Sequence, residues 1–263
     1  VRPLSLDHLT LFEVQPPELV SIAAELGFSH VSLWTHAPLK GDFPLLTAAN
    51  KRETQRRLTE TGLKLGAMEC FNLTSDAVVE DWRGEIALGA ELGATSLVAI
   101  NAWDPDWSRA LDHFRILCGV AAEFGLRVHV EFISMGQIRT MTDAVRFLTE
   151  AGQPHTGITI DAMHLLRTGA TPADVLAIDP GLIGYAQICD GPLVQPPALW
   201  NSEGFEQRQI PGEGEFPLRE FIAALPADTM LGAEVPLKSL REAGVSPLER
   251  ARRVLAGTRP FLR

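Results

Sequence analysis

Four stretches of this sequence end an apolar run on an oxygen-bearing side chain: Val128-His129-Val130-Glu131, Ile158-Thr159-Ile160-Asp161, Tyr185-Ala186-Gln187 and Leu231-Gly232-Ala233-Glu234. A single carboxylate at such a place is ordinarily a helix cap or an ion-pair partner. Three of them converging unpaired would lose hydration and repel one another. A divalent cation removes both penalties, and carboxylates with an amide oxygen form a hard, oxygen-only donor set. The expectation is that Glu131, Asp161, Gln187 and Glu234 hold one divalent ion. Mn²⁺ is the first choice, with Mg²⁺, Co²⁺ or Zn²⁺ as alternatives. The three cysteines, Cys70, Cys118 and Cys189, are far apart and form no CxxC pair, so neither a thiolate site nor a disulfide framework is expected.

Other polar residues fall where they could meet a substrate. His164 follows Asp161 in Asp-Ala-Met-His, above the strand end, where an imidazole can act on a bound molecule. Arg208 lies in a Pro/Gly-rich stretch, and a guanidinium there could hold a substrate oxygen. His36, Asn101 and Trp103 follow earlier strands, and Glu69 lies near the end of another; His36 and Asn101 are expected to bind substrate. His129 shares the inward face of its strand with Glu131 but sits two residues deeper, which predicts a core position.

Such side chains need a scaffold that brings strand ends together. The chain alternates strand-like runs with amphipathic helices. The expected strands are 4–11, 30–34, 65–71, 96–101, 127–133, 156–161, 184–190 and 230–235. Helices are expected over 17–26, 51–61, 82–92, 106–124, 140–151, 172–178, 216–225 and 247–255, with a long loop over 191–214. Strands alternating with helices imply βαβ units and a parallel sheet, and eight such units close into a (β/α)8 barrel. An open doubly wound sheet ordinarily has a glycine-rich turn after its first strand. Phe12-Glu13-Val14-Gln15-Pro16 has no glycine. The 263 residues suit one such barrel over 1–263.

Hydrophobic residues make up 46% of the chain, enough for a large core, and the net charge is −10. That balance disfavours nucleic acid as a partner, since phosphates call for a basic surface. No signal-peptide pattern or membrane-length apolar run is seen. A cytoplasmic protein is expected, acting on a small polyhydroxylated substrate without nucleic-acid or membrane partners; homo-oligomerisation is left open.

Taken together, His-Val-Glu131-Phe, Asp161-Ala-Met-His164, Gln187-Ile-Cys-Asp190-Gly, Arg208 before Pro-Gly-Glu-Gly-Glu, and Gly-Ala-Glu234-Val-Pro resemble the xylose isomerase-like TIM barrel superfamily. This superfamily includes sugar epimerases, inosose-processing enzymes, dehydroshikimate dehydratases and endonuclease IV. The resemblance implies a metal-dependent isomerase or epimerase of a sugar or cyclitol. Glu131 and Glu234 would exchange protons with an enediolate, while His164 and Arg208 held its oxygens. Family epimerases usually carry histidine where Gln187 stands, whereas glutamine is similar to the bacterial dehydroshikimate dehydratase pattern. The alternative is therefore a lyase that dehydrates a cyclic hydroxyketone, with His164 as acid or base. Endonuclease IV would need more histidine ligands than this chain places at strand ends.

Overall fold

A computed structural model describes residues 2–37 and 41–262. Eight parallel strands close into a barrel in chain order, each bonded to the next and the last to the first. They are β1 (Leu4–Leu6), β2 (His30–Trp34), β3 (Lys64–Asn72), β4 (Ser96–Ile100), β5 (Arg127–Glu131), β6 (Thr156–Asp161), β7 (Ile183–Ile188) and β8 (Leu231–Ala233). The helices through α5 are α1 (Pro16–Leu26), α2 (Ala48–Thr61), α3 (Arg83–Glu91), α4 (Trp107–Glu123) and α5 (Met141–Ala151). They are followed by α6 (Ala162–Arg167), α7 (Pro172–Val175), α8 (Trp200–Phe205), α9 (Leu218–Ala224), α10 (Lys238–Glu242) and α11 (Pro247–Thr258). The expected (β/α)8 barrel is the fold. No described helix is long and apolar enough to cross a membrane.

Local chemistry explains where the elements stop. Gly27, Gly62 and Gly152 adopt left-handed backbone after α1, α2 and α5, a conformation glycine takes without a Cβ penalty. Thr140 and Asp143 cap α5 reciprocally: each side chain accepts from the other residue's backbone N–H. The apolar faces of these helices cover strands that are themselves almost wholly buried, as parallel sheets require.

The structure differs from the sequence expectation mainly in the loops. The run 4–11 is not one strand: β1 ends before Asp7, and His8–Leu11 coils into a 3-10 turn. The long segment after β7 carries the short helix α8, with 3-10 residues Pro197–Leu199 before it. Helix α6 starts directly at Asp161, whose Oδ1 accepts from the backbone N–H groups of Met163 (2.7 Å) and His164 (3.0 Å). Short apolar pieces such as these have no periodicity long enough to read.

His8 shows how the first turn is fixed. It is fully buried, its Nδ1 accepts from the Trp34 backbone N–H (3.1 Å), and its Nε2 therefore carries the proton donated to the Val14 carbonyl (2.9 Å). Burial pushes its pKa down to about 4, against a partly opposing bond from Val14. An unfolded histidine takes up its proton near pH 6.5, so the unfolded chain binds more protons between there and pH 4. The neutral ring thus contributes stability that is complete above pH 6.5 and lost as pH falls toward 4. We expect His8 to account for roughly 3 kcal/mol of that loss. Urea denaturation across pH 4–7 should give a shallower pH slope for His8→Asn than for the parent. Equal slopes would show that the ring is not held neutral.

Candidate active site

The C-terminal mouth of the barrel collects the buried charges. Glu131 ends β5, Asp161 ends β6, Gln187 lies in β7 and Glu234 follows β8. The register sets Asp161 beside Gln187 and Gln187 beside Gly232. A side chain at 232 would strike the Asp7 carboxylate and the Tyr185 hydroxyl, so this strand position needs glycine for close approach. Glu131, Asp161 and Glu234 each offer an oxygen within 4.8 Å of the other two.

Two further carboxylates share the mouth. Asp7 follows β1, and Glu69 belongs to β3; with Glu234 they form a second group of oxygens within the same 4.8 Å. Tyr185 donates to Asp7 Oδ1 (2.6 Å) and contacts the Ser32 hydroxyl (3.2 Å). Asp7 ends the apolar run Leu4-Ser5-Leu6, the same signal that marked the four later strand ends, but the predicted strand ran through it. Tyr185 gave no separate signal, because an inward tyrosine reads as core.

Arg208 is the cation of this cluster. Its guanidinium is almost completely buried and donates to Asp161 Oδ2 (2.7 Å), pairs with Glu234 Oε2 (2.9 Å), and donates to the carbonyls of Glu234 and Gly204. Gln187 Nε2 donates to Glu234 Oε1 (2.9 Å) and, at 3.3 Å, to Asp7 and Glu69. Its Oε1 is buried and accepts no hydrogen bond from any described residue, and the same holds for Glu69 Oε2.

These surroundings divide the carboxyls. Burial alone would raise Asp161, but the Arg208 charge and the bonds from His164 and Arg208 hold it below its ordinary value. Burial raises Glu234 to about 8 despite Arg208. Burial and the neighbouring carboxylates Glu234 and Asp161 push Glu131 well up, and Glu69 rises for similar reasons. Asp7 is raised to about 6 by burial, with Tyr185 opposing. The mouth therefore favours a positive charge and, without one, keeps protons on some of these acids.

His164 lies within the same mouth, 3.8 Å from Glu131 through Nε2. The Ser134 backbone N–H donates to its Nδ1 (3.3 Å), which assigns the proton to Nε2. Burial lowers its pKa to about 4, with Asp161 opposing, so at neutral pH it is an uncharged ring offering an N–H.

A narrow cleft of about 40 Å³ opens onto Glu69, Cys70, Glu131, His164, Arg208 and Glu234, beneath apolar walls. His36 and Asn101 do not line it. His36 bonds Glu85 (2.8 Å) and packs against Phe71 and Trp82, and the Asn101 amide donates to the Leu73 carbonyl (3.0 Å). Trp103 stands half-exposed in an outer groove with His36. His129 is buried, with its pKa pushed to about 3 by burial, and does not line the cleft. Asp190 fastens the chain by accepting from the Gly212, Gly191 and Phe216 backbone N–H groups. Together with its two backbone bonds to Gln209 (both 2.9 Å), this seats Arg208.

Residues 20–257 match the family model of the Xylose isomerase-like TIM barrel, and the chain belongs to that family. No curated protein matches it. Among solved structures, the chain is similar to a xylose isomerase-like TIM barrel/4-hydroxyphenylpyruvate dioxygenase fusion protein (21% identity, TM-score 0.79), covering 98% of this chain and 42% of the fusion. It is also similar to the IOLI protein with a binding zinc atom (15% identity, TM-score 0.79), which covers 99% of this chain and 98% of that one. A third similar structure is 3-keto-D-glucoside 4-epimerase, YcjR, from E. coli (19% identity, TM-score 0.75), over 99% of this chain and 100% of that one. These likenesses establish a shared fold.

Truncating Arg208 should leave Asp161 buried without its partner. We expect Arg208→Met to destabilise the metal-free protein by roughly 3–5 kcal/mol, the scale for breaking a buried ion pair. Denaturant unfolding in chelator measures this, and unchanged stability would mean that the carboxyls simply protonate.

Proposed function

We propose that this protein is a divalent-metal-dependent isomerase or epimerase of a sugar or cyclitol, working by proton transfer through an enediolate. The observation that carries this reading is the packing of Glu131, Asp161 and Glu234 oxygens within 4.8 Å in a buried mouth. The unpartnered Gln187 Oε1 beside them adds a neutral oxygen donor. Together with the oxygen-only donor set, this fits a hard divalent ion.

In this proposal Glu131, Asp161, Gln187 and Glu234 hold the ion, with Mn²⁺ favoured. The ion, when bound, supplies Lewis-acid polarisation of a carbonyl and its neighbouring hydroxyl. Glu131 takes the proton from the carbon between those groups, and the C–H electron pair moves into the enediolate. Glu234 returns a proton to complete the isomerisation. His164 donates its Nε2–H to an oxygen that gains charge, and its low pKa makes it a donor of a hydrogen bond rather than a base. Arg208 keeps Asp161 ionised and balances the cluster. The similarity to the E. coli 3-keto-D-glucoside 4-epimerase and to the zinc-binding IOLI protein is consistent with this class.

The lyase alternative rests on Gln187, where glutamine replaces the usual epimerase histidine. The two reactions differ in product mass: isomerisation conserves it, and dehydration loses water.

Chelation should abolish turnover and lower the melting temperature, and Mn²⁺, Co²⁺ or Mg²⁺ should restore both. Full turnover in metal-free protein would end the metal reading. His164→Ala should keep metal and fold while losing roughly 10²–10³-fold in turnover, the scale for removing one donor to an oxygen that gains charge. Metal content, melting and turnover on one preparation decide this. Parent-like turnover per folded, metal-loaded molecule would remove His164 from the chemistry.

A further inference from the structure

Asp7 and Glu69 are buried at the barrel mouth and take no part in the proton transfers above. Both meet Gln187, whose Nε2 donates to Glu234 Oε1 (2.9 Å), Asp7 Oδ2 (3.3 Å) and Glu69 Oε1 (3.3 Å). These are the three residues of the second carboxylate group. The amide nitrogen therefore sits where their oxygens converge, the place a second cation would need. The Glu69 side chain makes no other hydrogen bond to a described residue.

An amide carries its oxygen and its two-hydrogen nitrogen on one planar carbon, so fixing one end fixes the other. An ionised carboxylate only accepts hydrogen bonds, and carboxylates beside a bound cation stay in that form. The trio thus takes the nitrogen and repels the oxygen. Reversing the amide would set Oε1 against three negative oxygens and turn both donors away from them. In the arrangement seen, Oε1 is buried with no donor among the described residues, which suits a ligand oxygen. Glutamate at 187 would bring a fourth acceptor and nothing to donate. Asp7 is itself fixed: Tyr185 donates to its Oδ1 (2.6 Å), leaving Oδ2 for Gln187. Gly232 pairs with Gln187 in the sheet, and a Cβ there would strike Asp7 Oδ2, so glycine keeps that oxygen within reach of the amide.

We propose that Glu69 and Asp7 are positioning residues for the metal centre. They hold Gln187 with its nitrogen toward themselves and its oxygen free to bind the ion. This rests on the metal site of the isomerase reading and gives a function to two carboxylates outside its ligand set. Their charge also attracts a cation whichever way the amide points, so charge and orientation must be separated. Orientation acts only through Gln187, whereas charge acts without it.

A double-mutant cycle on the full chain makes the separation, with Mn²⁺ affinity and stoichiometry read by calorimetry and folding by melting. The loss of affinity on Glu69→Met is measured in the parent and again in Gln187→Leu, which is equally neutral but has no amide to orient. We expect one Mn²⁺ per parent chain. The loss on Glu69→Met should be about tenfold greater in the parent than in Gln187→Leu, within the range for removing a group that orients a metal ligand. Asp7→Val should couple to Gln187 in the same sense. Equal losses in the two backgrounds would show that the carboxylates act by charge, overturning the proposal while the metal reading stands. Parent-like affinity in Gln187→Leu would mean that the amide is no ligand, and would overturn it as well. So would a second Mn²⁺ per chain that vanishes in Glu69→Met, since Glu69 would then be a ligand itself. A parent that binds no Mn²⁺ would remove both the proposal and the metal reading. If Glu69→Met does not fold, Glu69→Gln keeps the side-chain size and enters the same cycle. A smaller coupling is expected there, because its own amide can still turn an oxygen to Gln187, and equal losses again overturn the proposal.

Discussion

The guanidinium of Arg208, buried between Asp161 and Glu234, is the interaction on which the barrel mouth depends. Five carboxyls crowd there, and each lost much of its hydration when the barrel closed. One permanent positive charge keeps Asp161 ionised, while Glu131, Glu69 and Glu234 drift toward the protonated form. The result is a graded set of acids within a few ångströms.

Arg208 also ties chemistry to loop conformation. The guanidinium donates to the carbonyl of Gly204 in α8, whose neighbour Phe205 forms part of the cleft wall. A second buried pair fixes the same helix from the other side: Arg167 donates to both Glu203 oxygens (2.7 and 2.6 Å) and to the Pro192 carbonyl (2.8 Å). Asp190 accepts from the Gly212 N–H and exchanges two backbone bonds with Gln209, so the segment carrying Arg208 is pinned at both ends. A loop rich in proline and glycine is thereby given a definite shape without long regular structure. The apolar wall and the charged floor are parts of the same bracing.

The interior of the barrel supports this floor with polar contacts rather than with bulk alone. Ser5, Ser32 and Tyr185 form a line of hydroxyl contacts that ends on Asp7. Gly232 leaves the space that Tyr185 and Asp7 fill. Asp7 in turn accepts from Gln187, so the orientation of that amide is set from below by β1 as well as from beside by Glu234.

Much of this organisation is legible in the chain itself. Alternating apolar strands and amphipathic helices imply the parallel barrel, because each strand must be covered on its outer face. A polar residue ending an apolar run marks a strand end, which made Glu131, Asp161, Gln187 and Glu234 visible as a group. Asp7 carried the same mark but was hidden, since the apolar Leu9 and Leu11 beyond it extend the run on paper while the backbone turns at His8. What folding alone decided are the contacts between residues far apart in sequence. Arg208 reaches Asp161, 47 positions away, and Arg167 reaches Glu203, 36 positions away. No local pattern encodes such pairings, because they arise from where the long loop lands on the closed barrel. The same holds for the bonds from His36 to Glu85 and from the Asn101 amide nitrogen to the Leu73 carbonyl. Local residue order sets which groups stand at the barrel mouth, and packing of the loops sets which of them face one another.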